Sequence, residues 1–331
     1  MHLRSNALAA LSLAAGLMLA QSTPPQNPQQ TPPPSSAADQ DEIPIFRAET
    51  NLIVLHASVV DKNGKLITNI PQSAFKVYEN GVEQPIKLFR REDVPVSMGI
   101  IIDNSGSMRD KRAKVAAASL ALVRASNPQD EVFIVDFNDD AYLDQPFTSD
   151  IKKLEETLDK IDSRGGTAVR DAISMSIDYL KESGKKDKKV LLVVTDGNDN
   201  TSNETLEQTV RKARQSEVLV YCIGLLNEEE PREAKKAKRA LKALSEASGG
   251  LDFYPKDLAE VEKITPQVAH EIRNQYILGY TPTNLALDGT FRQIKVAVTG
   301  YGHPAVRTRN GYYATPAPPP KTTQAKPAPS H

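Results

Sequence analysis

With a single cysteine, Cys222, this chain of 331 residues can form no internal disulfide. Cys222 sits in the apolar run Val218-Leu219-Val220-Tyr221-Cys222-Ile223, which marks it as a small core residue rather than a reactive one. Stability therefore has to come from burial. The chain also lacks an excess of charge: 41 Lys and Arg face 42 Asp and Glu, a net of -1. That balance supplies neither a basic field for nucleic acid nor an acidic solvating tail. The apolar run from Ala7 to Leu19 falls short of the about 20 residues needed to cross a bilayer. Arg4 before it and Ala20-Gln21-Ser22 after it give the order of a cleaved export signal, with an uncleaved anchor as the alternative. No cysteine follows that run to accept a lipid. Catalytic signatures are missing as well. There is no Gly-x-Ser-x-Gly elbow and no Gly-x-x-x-x-Gly-Lys loop, and His56, His270 and His303 stand in separate segments without metal-protease spacing.

What is present divides the chain into six parts. Residues 1–22 read as the export signal, and 23–42 and 315–331 are proline-rich segments with little to bury. Residues 43–94 carry strand patterns, with Asn80-Gly81 as a tight hairpin leading into a strand from Glu83 to Phe89. From 95 to 273, strands and helices alternate. The runs Val96 to Ile102, Val132 to Phe137, Val190 to Val194 and Val218 to Ile223 are nearly all apolar, as strands buried on both faces should be. Helical patterns cover Lys111 to Ala125, Ile151 to Ile161, Ala168 to Lys181, Glu204 to Gln215, Arg232 to Ala247 and Leu258 to Ile272. Strands return over 274–314. The fold class expected is α/β, a doubly wound and mainly parallel sheet in three layers, beside one small all-β module built from both flanks.

Five residues carry the chemistry. Asp103, Ser105 and Ser107 alternate along one loop after an apolar strand, Thr167 follows Gly165-Gly166, and Asp196 follows a second apolar strand. In an open α/β sheet such strand ends meet at one rim, where strand order reverses. Two carboxylates and three hydroxyls are hard oxygen donors that suit magnesium, with manganese or calcium also accepted. The two acids roughly cancel the charge of the cation, which leaves it electrophilic towards an acidic group from another molecule. The alternative is a metal-free rim in which Ser105 and Thr167 cap helices.

Asp103-Asn104-Ser105-Gly106-Ser107, Thr167 and Asp196 resemble the metal-ion-dependent adhesion site of von Willebrand factor type A domains, a likeness that extends over roughly residues 95–270. The resemblance implies direct coordination by Ser105, Ser107 and Thr167. Asp103 and Asp196 would then act largely through water, and the open position would take a partner's Glu or Asp. The flanks resemble an exported bacterial group related to the same domain, through Phe75-Lys76-Val77-Tyr78-Glu79-Asn80-Gly81 and Gln275-Tyr276-Ile277-Leu278-Gly279-Tyr280 among others.

Around the five, Asn104, Asp136, Asp171 and Gly197 are candidates for an outer shell. Asp136 serves equally well as a buried carboxylate bonded to backbone, and Asp171 as an acid at a helix start. Asp139, Asp140, Asp199 and Asn200 stand where they could line the rim as a secondary calcium site. The function expected is an exported, periplasmic or extracellular, metal-dependent protein-binding module and not an enzyme. A scaffold subunit binding through its β-module without metal is the alternative, and a metal-dependent hydrolase built on Asp103 is the third reading.

Overall fold

A computed structural model describes residues 52–316 except 92, 125–126, 161–163, 198 and 227–228, all within the unit that begins at Glu49. The expected export signal, the first proline-rich segment and nearly all of the second lie outside the described residues. The order of elements is β1 (Ile53–Val60), β2 (Phe75–Glu79), β3 (Val82–Gln84), β4 (Ile86–Arg90), β5 (Val96–Asp103), α1 (Arg112–Arg124), β6 (Glu131–Phe137), β7 (Ala141–Thr148), α2 (Ile151–Leu158) and α3 (Val169–Ser183). There follow β8 (Lys188–Thr195), α4 (Leu206–Ser216), β9 (Leu219–Gly224), α5 (Pro231–Ser248), β10 (Asp252–Phe253), α6 (Leu258–Arg273), β11 (Tyr276–Tyr280), β12 (Phe291–Val298), β13 (Ala305–Arg307) and β14 (Gly311–Tyr313).

The central sheet has the order β10-β9-β8-β5-β6-β7 and is parallel except for β7. Every residue of β5 is buried, because alternate side chains feed two cores. Met98, Ile100 and Ile102 pack with Val115 of α1, Leu154 of α2 and Val268 of α6. Ile101 packs on the other face with Ile173 of α3, Ala213 of α4 and Leu244 of α5. Strand β7 was not expected. Its Pro146 and polar residues fit only an exposed edge, which is where it lies.

The flanks form the small all-β module as a sandwich of two four-stranded antiparallel sheets, β13-β1-β11-β4 and β14-β12-β2-β3. Leu55, Val77, Tyr276, Leu278 and Val296 share the core between them. Each sheet joins residues far apart in the chain: Leu55 is registered with Leu278, and Val77 with Val296. The hairpin at Asn80-Gly81 forms, with φ of 47° and 83°. The strand expected from Glu83 to Phe89 is broken, however, at Pro85. That residue has no N–H to extend the ladder, so Ile86–Arg90 crosses to pair with β11 in the opposite sheet.

Polar contacts join the sandwich to the α/β core. Ser58 donates to Glu271 at 2.9 Å, and Gln275 donates to both Ser58 and Tyr221 at 3.2 Å. Lys188, 3% exposed, places its ammonium on the carbonyl of Ile272 at the end of α6. Burial, helped by the charge of Arg273, pushes the Lys188 pKa down to about 7. The unfolded chain therefore binds one more proton than the native one between about pH 7 and the usual lysine range. Stability should rise with pH through that window by roughly 1 kcal/mol per unit. Urea melts at pH 7 and pH 9.5 should show this rise in the wild type and its loss in Lys188→Met.

Candidate metal centre

Strand order reverses between β5 and β8, so the loops after these two strands diverge and leave a crevice at their carboxyl ends. Asp103 closes β5 and Asp196 follows β8 directly; they are fully buried and 1% exposed respectively. The Asp103 carboxylate accepts from the Ser105 N–H at 2.9 Å and from the Thr195 hydroxyl at 2.5 Å. This turn fixes Ser105 as the cap of a short 3-10 turn, Gly106–Met108. Ser105 Oγ lies 3.1 Å from Ser107 Oγ, and Ser107 donates to Asp196 at 2.9 Å. Four of the five sequence candidates thus form one connected set.

Thr167 arrives from a third loop. Gly165, at φ +77°, turns the chain, the Gly166 N–H donates to Asp139 at 2.8 Å, and the Thr167 N–H donates to Asn200 at 2.9 Å. Its hydroxyl would stand 3.8 Å from a Cβ placed on Gly197, so the absence of a side chain there keeps the crevice open beside it.

The outer candidates divide. The Asn104 amide donates to Asp136 at 2.8 Å while its N–H meets the Phe137 carbonyl at 2.7 Å, a brace behind the Asp103–Ser107 loop. The Asp171 carboxylate is taken up by the N–H groups of Asn203 and Glu204, at 2.8 and 2.9 Å, and pins that loop away from the crevice. Asp199 pairs with Arg170 at 2.7 Å. Asp139 and Asn200 hold the Thr167 loop, as above.

Two residues escaped the sequence analysis. Lys111, just ahead of α1, puts its ammonium 2.8 Å from Asp196, with a side chain only 11% exposed. Glu229, just ahead of α5, places a carboxylate oxygen 3.6 Å from the position of a Gly197 Cβ. Its pKa is raised by burial and then by the charge of Asp196, against the opposing pull of Lys111. Burial likewise pushes Asp103 up to about 6, opposed by its bonds from Ser105 and Thr195. The Lys111 ammonium lies on Asp196, and Asp103 and Glu229 add acidic groups beside that pair.

The donor set fits a hard cation. Among the described residues no group of three or more His, Cys, Asp or Glu is placed to hold a metal. The donors here are instead two carboxylates and three hydroxyls. In an octahedron with magnesium–oxygen bonds of about 2.1 Å, neighbouring oxygens stand roughly 3 Å apart. The Ser105–Ser107 spacing falls at that value.

The family model for the von Willebrand factor type A domain matches residues 98–198. Inter-alpha-trypsin inhibitor heavy chain H4 from Bos taurus is 24% identical over 147 residues, which are 40% of this chain and 16% of that protein. The Mus musculus counterpart is 27% identical over 157 residues, 41% of this chain and again 16% of the relative. This chain therefore spans a small fraction of the length of the curated relatives it matches. Among solved structures, the von Willebrand factor type A protein from Catenulispora acidiphila aligns over 82% of this chain and 75% of its own, with 14% identity and a TM-score of 0.48. The vWF domain of the type V pili tip protein Mfa5 from Porphyromonas gingivalis aligns over 54% and 97%, with 12% identity and a TM-score of 0.44.

Proposed function

We propose that the von Willebrand factor type A domain at residues 98–198 is a protein-interaction module that captures an acidic side chain of a partner through a divalent cation. Ser105, Ser107 and Thr167 would bind that cation directly, and Asp103 and Asp196 would hold the first shell through water. The observation that supports this reading is the linked set of Ser105, Ser107 and Asp196 side chains with Asp103 behind them and Thr167 beside Gly197 on a third loop. Magnesium suits few carboxylates and several hydroxyls, with manganese or calcium as substitutes. The cation, when bound, supplies the positive charge that draws the partner's carboxylate. Thr195, Asn104 and Asp139 keep the three loops in register.

Lys111 acts as the resident counter-ion of Asp196 and competes with the cation for it. Lys111→Met should therefore destabilise the metal-free protein by about 3 kcal/mol, by leaving the buried Asp196 carboxylate with the Ser107 bond but no counter-ion. The same variant should bind magnesium several-fold more tightly. Thermal melts with and without magnesium test both effects; equal stabilisation by magnesium in variant and wild type would remove the competition.

Export is proposed from residues 1–22, and among the described residues no helix is long and apolar enough to cross a membrane. Among the described residues the Ser105 hydroxyl meets that of Ser107 and no histidine or lysine base, and binding without turnover is the reading adopted. Ser105→Ala tests it against capture through the β-sandwich: pull-down of the partner should fail in the first case and persist in the second.

A further inference from the structure

At the opposite pole from the metal centre, the amino ends of β5, β8 and β9 meet the first sheet of the sandwich around a cavity of about 570 Å³. Its volume is that of a small-ligand pocket. Val54, Leu88, Val94, Leu219 and Ile277 give it an aliphatic lining. Arg90, Lys185, Lys186, Lys188, Lys189 and Arg309 stand in its lining with Asp187 and Glu217, while Asp93, Asp130 and Glu271 act on Lys188 from behind. In a chain of net charge -1, the lining itself holds a local excess of positive charge.

Two of these cations are buried in the wall. Arg309 is 7% exposed; its guanidinium donates to the Val54 carbonyl at 2.8 Å and lies 3.6 Å from Glu217, whose side chain is 63% exposed. Arg309 Nε is buried without a hydrogen-bond partner, and so is Nδ1 of His56 in the same wall. An unpartnered buried donor is costly, and the Arg309 guanidinium in this wall has unused N–H capacity for an anion. The field is positive: burial together with the charges of Lys188 and Arg309 holds His56 neutral, down to about 3.

We propose that this cavity binds an amphipathic organic anion, with its carboxylate or phosphate towards Arg309 and the rim cations Arg90 and Lys186 and its apolar body against Val54, Leu88 and Ile277. The site is independent of the metal centre. β5 separates the two along its length, and no residue belongs to both.

Calorimetry on the full chain in EDTA, which keeps carboxylates from being drawn to any metal, provides the test. Octanoate should bind one to one, at least about tenfold more tightly than octanol or inorganic phosphate. Arg309→Met should weaken it by a similar factor. Because Arg309 also tethers β1, the rim variant Arg90→Glu/Lys186→Glu, at one exposed and one half-buried residue, gives a second reading with the fold checked by circular dichroism, and it too should weaken octanoate. Octanol binding as well as octanoate, phosphate binding as well as octanoate, or full affinity retained in the rim variant would each overturn the proposal.

Discussion

Magnesium titrated into the Asp103→Ala protein is expected to release no heat, and an acidic peptide that binds the wild type only with magnesium present is expected not to bind at all. The loss should be at least about 100-fold, because removing Asp103 does more than delete one charge. Its carboxylate holds the Ser105 N–H and the Thr195 hydroxyl, so the loop that carries Ser105 and Ser107 loses its anchor. Those two donors are left unpartnered, which should cost about 1–3 kcal/mol of stability. Ser105→Ala isolates the metal effect, since it removes one hydroxyl and leaves the turn intact. Magnesium binding undiminished in both variants would reduce the constellation to helix capping. Peptide binding undiminished in EDTA would move recognition to another surface.

A second large effect concerns stability alone. Gly250→Ala should lower it by about 3 kcal/mol or more, seen as a fall in melting temperature of roughly 10 °C. A Cβ at this position would overlap the carbonyl oxygen of Val220 and stand 2.6 Å from its carbon and 3.1 Å from its nitrogen. All three obstacles are backbone of β9, which is fixed by pairing with β8 and has no rotamer by which to yield. The neighbouring bonds tighten this spot further: Ser248 Oγ accepts from the Val220 N–H at 2.9 Å, and Cys222 donates to the Leu251 carbonyl at 2.8 Å. Gly289→Ala is the control. Its φ of +73° is unfavourable for alanine, but a Cβ there meets nothing within 4 Å, so only the about 1 kcal/mol of backbone cost should appear. Equal effects at the two positions would mean that β9 yields.

Local pattern alone determined much of this molecule. Val96 to Ile102 and Val190 to Val194 announce strands covered on both faces, because apolar side chains at every position leave no side for water. Helix ends were legible to within a few residues wherever a cap or a glycine stood, as at Thr205 and Gly249. The five candidate positions follow the same logic: each sits after a strand or in a glycine turn, and the doubly wound order carries such ends to one rim. Tertiary structure decided the rest. Ile86–Arg90 pairs with β11 because Pro85 ends one ladder and the other sheet offers a free edge, a choice no window of sequence contains. Lys111 and Glu229 reach Asp196 from different elements and follow no periodicity that would mark them. The cationic cavity joins residues from Val54 to Arg309. Charges so far apart in the chain act together only after packing brings them close and removes the water between them, and that step depends on the whole fold rather than on any one segment.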